Sequence, residues 1–72
     1  MTWQQFCVWC NDQGFNNPHV IQGEPGRDAY PYYVRITWGT RRNQGSKDYG
    51  IAGQTPTLEE LKAIADNPCL PL

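Results

Sequence analysis

The spacing of apolar residues changes twice along the chain, from helical to alternating and back. In the first segment Phe6, Trp9, Cys10 and Gln13 share one stripe, which Trp3 and Cys7 widen toward the neighbouring side. Thr2 followed by Gln5 fits a capping box, in which each side chain satisfies a free backbone N–H of the other residue. The spacing predicts a helix over 3–13, and Gly14 supplies a left-handed stop. Phe15 is placed to fold back on the helix end, and Asn16-Asn17-Pro18 makes a break.

The alternating part follows. Val20 and Ile21 mark a short first strand, and "GEPGRD" is dense in turn residues. The second strand is the clearest element: Val34, Ile36 and Trp38 alternate with Tyr33, Arg35 and Thr37, the period of a half-buried strand. "GTRRNQGS" reads as a long hairpin loop with Gly45 available for positive φ. "KDYGIAG" returns as a third strand with Tyr49 and Ile51 inward, and Gly50 marks a bulge or a close approach.

Helical spacing resumes after Pro56. Thr57 and Glu60 make a second capping box, and early carboxylates suit the positive end of the helix dipole. Leu58, Leu61, Ile64 and Ala65 form the stripe expected to be buried, Asn67 and Pro68 end it, and "CLPL" is a short tail. The expected fold is α+β, one small domain over 1–72 in the order α-β-β-β-α. Its three-stranded antiparallel sheet carries both helices on one face.

Composition adds constraints. A chain of 72 residues buries only about 60% of its unfolded surface, so its core must be dense. Three tryptophans, four tyrosines and two phenylalanines can fill a thin two-layer interior. No run approaches the roughly 20 apolar residues that span a bilayer, so no membrane partner is expected. The N-terminus lacks a charged segment leading into an apolar one, so a cytoplasmic location is expected.

Net charge is −1, which gives no overall attraction to nucleic acid or anionic lipid. The charges are nevertheless unevenly placed. Arg35, Arg41, Arg42 and Lys47 lie within thirteen residues that contain no acid, whereas Glu59, Glu60 and Asp66 gather in the last segment.

Cys7 and Cys10 are spaced to share a metal, with His19 and Cys69 as further ligands, and a zinc-stabilised module is one alternative. Against it, a helix, a loop and a tail would have to converge, and no second metal-ligand pair is present. A redox CxxC normally begins a helix, where the dipole lowers the thiol pKa, while this one lies inside. Buried cysteine is more often a small hydrophobe, so neither metal nor other cofactor is expected. His19 is the only histidine, and no spacing ties it to Asp28 or Asp48 as a catalytic pair. The chain is therefore not expected to be an enzyme. "GEPG" and "GTRRNQGSK" lack the strand–loop–helix setting that aims several N–H groups at a phosphate.

In layout, residues 2–66 resemble the double-stranded-RNA-binding domain, which has this length and element order. "GEPGRDAYPYYV" takes the place of that family's first loop and second strand, and "GIAGQTPTLEELKAIA" that of its last strand and helix. The family's loop histidine has no match. Its lysine-rich helix start is replaced by "TPTLEE", with only Lys62 basic nearby. The resemblance thus implies the fold and not the family's usual RNA contacts. The strand–hairpin–strand–helix segment is also similar to AP2-type and integrase arm-binding domains, a likeness that implies nucleic-acid contacts for Arg35, Arg41 and Arg42.

Two functional expectations result. The first is a non-catalytic protein-binding module, of the small phage-encoded inhibitor or adaptor kind, acting on a bacterial protein complex. Aromatics beside arginine are the composition of protein–protein hot spots, so the expected contact residues are Tyr30, Tyr32, Tyr33, Arg35, Arg41, Arg42 and Lys47. The second is a nucleic-acid-binding domain using the basic hairpin, with arginines on phosphates and aromatics stacked on bases. Oligomeric state is left open.

Overall fold

Thr2 opens the first helix as its sequence predicts. The Thr2 backbone N–H donates to Gln5 Oε1 (2.9 Å) and the Gln5 N–H donates to Thr2 Oγ1 (3.2 Å). In this computed structural model, which describes residues 1–40 and 42–66, α1 spans Trp3–Asp12. It ends one residue short of the expected end, with Gln13 as its C-cap, and Gly14 takes the left-handed φ of +90°. Phe15 does fold back: its N–H donates to the Cys10 carbonyl (2.9 Å), and its ring is buried.

Three strands follow, β1 (His19–Gln22), β2 (Tyr32–Thr40) and β3 (Asn43–Ile51), then α2 (Leu58–Asp66). The sheet is open and antiparallel in the order β1-β2-β3. The β2–β3 ladder runs unbroken from Tyr32↔Ile51 to Thr40↔Asn43. Only positions 41 and 42 separate the strands, so the long hairpin loop expected over 39–46 is instead two strand ends and a tight connection. Gly45 accordingly has no positive φ; it lies opposite Trp38, whose indole ring would stand 2.5 Å from a Cβ built there. The positive φ belongs to Gly39 (+92°), where a side chain would collide with the Asn43 backbone.

Phe6 and Cys10 of α1, Leu61 and Ile64 of α2, Phe15, Val34, Ile36 and Ile51 make one buried cluster. The strand members share one face, so both helices cover that face. Trp9, Val20, Tyr32, Trp38 and Tyr49 pack around its margin. Five members of the expected stripes fall outside it: Trp3 and Gln13 are exposed, Cys7 and Ala65 are only half-buried, and Leu58 is 56% exposed because it stands in the first turn of α2. The second capping box forms as expected, with Thr57 N–H on Glu60 Oε1 (2.9 Å) and Glu60 N–H on Thr57 Oγ1 (3.1 Å). Glu60 also accepts the Ala52 N–H (3.2 Å), tying the end of β3 to the start of α2. No helix among the described residues is long and apolar enough to cross a membrane.

Candidate protein-binding surface

Side-chain alternation leaves the sheet with a second face that neither α1 nor α2 covers. The strand register arranges this face in rows: Ile21, Tyr33 and Gly50; then His19, Arg35 and Asp48; then Thr37 with Ser46; then Gly39 with Gln44. Each row has a different chemistry, and the face grades from aromatic to polar.

The aromatic end is built by two glycines. Tyr30, in the loop before β2, lies across Gly50, where any Cβ would overlap its ring. The close approach expected at Gly50 is thus made by an aromatic side chain. Gly23 donates its N–H to the Pro31 carbonyl (2.8 Å), and a Cβ there would strike the Tyr30 carbonyl and the Tyr33 ring. Tyr30 and Tyr33 meet edge to face, with centroids 6.0 Å apart and planes at 82°, a geometry favoured by the ring quadrupoles. The Tyr30 N–H donates to Tyr33 Oη (3.2 Å). Tyr30 nevertheless stays 51% exposed. The loop feeding it is closed by Asp28, whose carboxylate accepts the Glu24 N–H (2.7 Å). That bond, helped by Arg27, holds Asp28 below the usual carboxylate range.

In the middle row Arg35 and Asp48 form a two-pronged ion pair, Nε to Oδ1 at 2.9 Å and Nη2 to Oδ2 at 3.1 Å. The bonded carboxylate raises the Arg35 pKa further above its ordinary value. Both groups are part-exposed, and such pairs contribute at most about 1 kcal/mol. The pair matters more for what it does to the field: the two charges cancel on this face. At the polar end Asn16 extends the line of β1, its N–H on the Thr37 carbonyl (2.9 Å) and its Nδ2 on Thr37 Oγ1 (3.2 Å). A shallow depression of about 430 Å³ runs between Asn16, Arg35, Thr37, Gln44 and Ser46.

The expected contact residues are therefore not one cluster. Tyr30, Tyr33 and Arg35 come together on the open face. Tyr32 turns to the helix side and packs against the core. Lys47 is exposed, yet its position opposite Ile36 puts it on the helix side of the sheet too. Arg42 is exposed in the connection between β2 and β3, and Arg41 lies outside the described residues. A basic hairpin acting as one surface is thus not what the strand register builds, because successive strand residues point to opposite faces.

Of the candidate metal ligands, His19 stands apart from the two cysteines of α1. Cys10 is buried under the sheet and Cys7 is half-buried beside it, whereas His19 alternates onto the open face. Burial, with Cys7 nearby, pushes the Cys10 thiol up to about 11, the reverse of what a thiolate ligand or redox cysteine needs. Among the described residues no three His, Cys, Asp or Glu side chains are grouped to hold a metal. Cys69 lies outside the described residues.

Two contributors escaped the sequence reading. Asp48 neutralises Arg35 from a strand away, and Ile21 extends the aromatic row; their signal was the alternation of β1 and β3, legible only once the register is known. No protein-family model, curated protein or solved structure matches the chain. What holds of the resemblance to double-stranded-RNA-binding domains is the element order and the three-stranded antiparallel sheet.

Proposed function

We propose that the chain is a non-catalytic protein-binding module that meets its partner with the uncovered sheet face. The observation that supports this reading most is Tyr30, half-exposed and held by Gly50, Gly23 and Tyr33. A tyrosine fixed in this way loses little further freedom on association, which is why such rings serve as anchors. Around it, Ile21 and Tyr33 supply apolar surface. The Arg35–Asp48 pair and the Asn16–Thr37 contact supply a polar margin. A small protein of this kind acts by occupying a surface, as an inhibitor or adaptor does.

Nucleic-acid binding is the competing reading, supported by the exposed Arg42. It is weakened by the neutral open face, since phosphate contacts need cations that are free to replace counterions. A pull-down from nuclease-treated bacterial lysate tests the choice. The expected result is a partner retained by the wild type, lost with Tyr30→Ala and kept with Arg42→Ala. Tight duplex binding that falls steeply with salt and disappears with Arg42→Ala would overturn the proposal.

A further inference from the structure

The two edges of the sheet are not equivalent. β1 has four residues and is preceded by Pro18, whereas β3 has nine, without proline and without a bulge. Natural edges are usually blunted by such devices. The direction of the backbone groups can be read from β2. The carbonyls of Pro31 and Thr37 accept from Gly23 and Asn16, on the β1 side. Odd-numbered residues of β2 therefore face β1 and even-numbered ones face β3, because successive residues of an antiparallel strand bond to opposite sides. Through the register, Asn43, Gly45, Lys47, Tyr49 and Ile51 bond to β2. Gln44, Ser46 and Asp48 turn their N–H and C=O groups outward, and no backbone bond reaches them from another described segment.

We infer that this edge pairs with the same edge of a second copy, antiparallel and centred on Ser46. Register decides the centre. Centred on residue 47, Lys47 faces Lys47; centred on residue 48, Asp48 faces Asp48; like charges directly opposite are destabilising. Centred on Ser46, the ladder sets Ser46 against Ser46 and Gln44 against Asp48, and each such pair can exchange both of its backbone bonds. Earlier centres shorten the overlap. The Ser46-centred register is thus the longest one free of like-charge opposition. It also brings Lys47 of the second copy beside Gly45, which the Trp38 ring covers, and a cation over an indole is an attractive neighbour. The side chains of Gln44, Ser46 and Asp48 stay on the open face, so both copies would present one continuous sheet surface.

This inference is independent of the protein-binding proposal, since it concerns the edge and not Tyr30. It is tested by sedimentation of the full chain over a range of concentrations, together with two variants. Ser46→Pro removes an outward N–H that the β2–β3 ladder does not use, so the fold, followed by circular dichroism, is kept. Wild type should pass from one chain to two as concentration rises, and Ser46→Pro should remain a single chain. Ser46→Cys should form a linkage between positions 46 of two chains under mild oxidation, because paired Cα atoms in a hydrogen-bonded pair lie about 5.5 Å apart, within disulfide reach. Lys47→Cys should not, since the two positions are offset along the strands. A wild type that is monomeric throughout, a dimer that survives Ser46→Pro in folded protein, or preferential linkage at position 47 would each overturn the inference.

Discussion

β2 and β3 are both nine-residue strands in one unbroken ladder, and almost nothing else about them is alike. β2 is central, and its inward positions Val34 and Ile36 are fully buried. β3 is an edge, and over most of its length it carries Asn, Gln, Gly, Ser, Lys and Asp, with burial complete only at Ile51. One strand is held by what its own side chains bury. The other is held by what its neighbour brings to it: Trp38 laid over Gly45, Arg35 forked onto Asp48, and the backbone ladder itself. Strand propensity measures fit to a pleated, half-buried surface, and β3 meets that condition largely by proxy.

The sharpest way to break this comparison is at the facing pair Ile36 and Lys47, directly opposed and yet buried and exposed respectively. Ile36→Ala is expected to cost about 2–5 kcal/mol, as removal of a buried aliphatic side chain does, measured as a shift in the denaturant midpoint. Gly45→Ala forces the Trp38 ring aside and should cost about 1–3 kcal/mol. It is read by the same titration and by a change in tryptophan fluorescence. An unchanged midpoint there would mean that β3 does not depend on its neighbour's ring.

At the far end of β3, Thr57→Ala removes one half of the capping box and should cost about 1 kcal/mol. The same site carries a pH dependence. Thr57 N–H donation, chiefly, outweighs desolvation and holds the Glu60 carboxyl below its ordinary value. Its stabilisation is therefore complete above the unfolded glutamate pKa and is lost as pH falls through the lower folded value. Thermal melts in that acid range should show less loss for Glu60→Gln than for the wild type. Lys47→Ala, the smallest change, should stay within about 0.5 kcal/mol, and a larger loss would show that the edge has a partner within the chain.

The same contrast explains how far the sequence could be read. Three helix ends were legible because their signals are local: Thr2 with Gln5, Thr57 with Glu60, and Gly14 each act over a few residues, while the expected stop at Asn67 and Pro68 lies outside the described residues. β2 was legible because its alternation is strong. The start of β3 was not, since "NQGS" has loop composition and becomes strand only through pairing with β2. Leu58 was misjudged because periodicity places a residue on a stripe without saying where the stripe leaves the core. The candidate surface was half legible. Tyr30, Tyr33 and Arg35 stood out by composition, while Ile21 and Asp48 join them only through register.

By itself, then, the sequence determined the order of elements, their caps and the inward face of β2, all set by interactions spanning a few residues. Tertiary structure alone decided which cations share a face, that Arg35 is neutralised by Asp48 and that Tyr30 rests on Gly50. Those outcomes depend on the alignment of residues 13 to 20 positions apart in the chain, where no local pattern reports which side chains will meet.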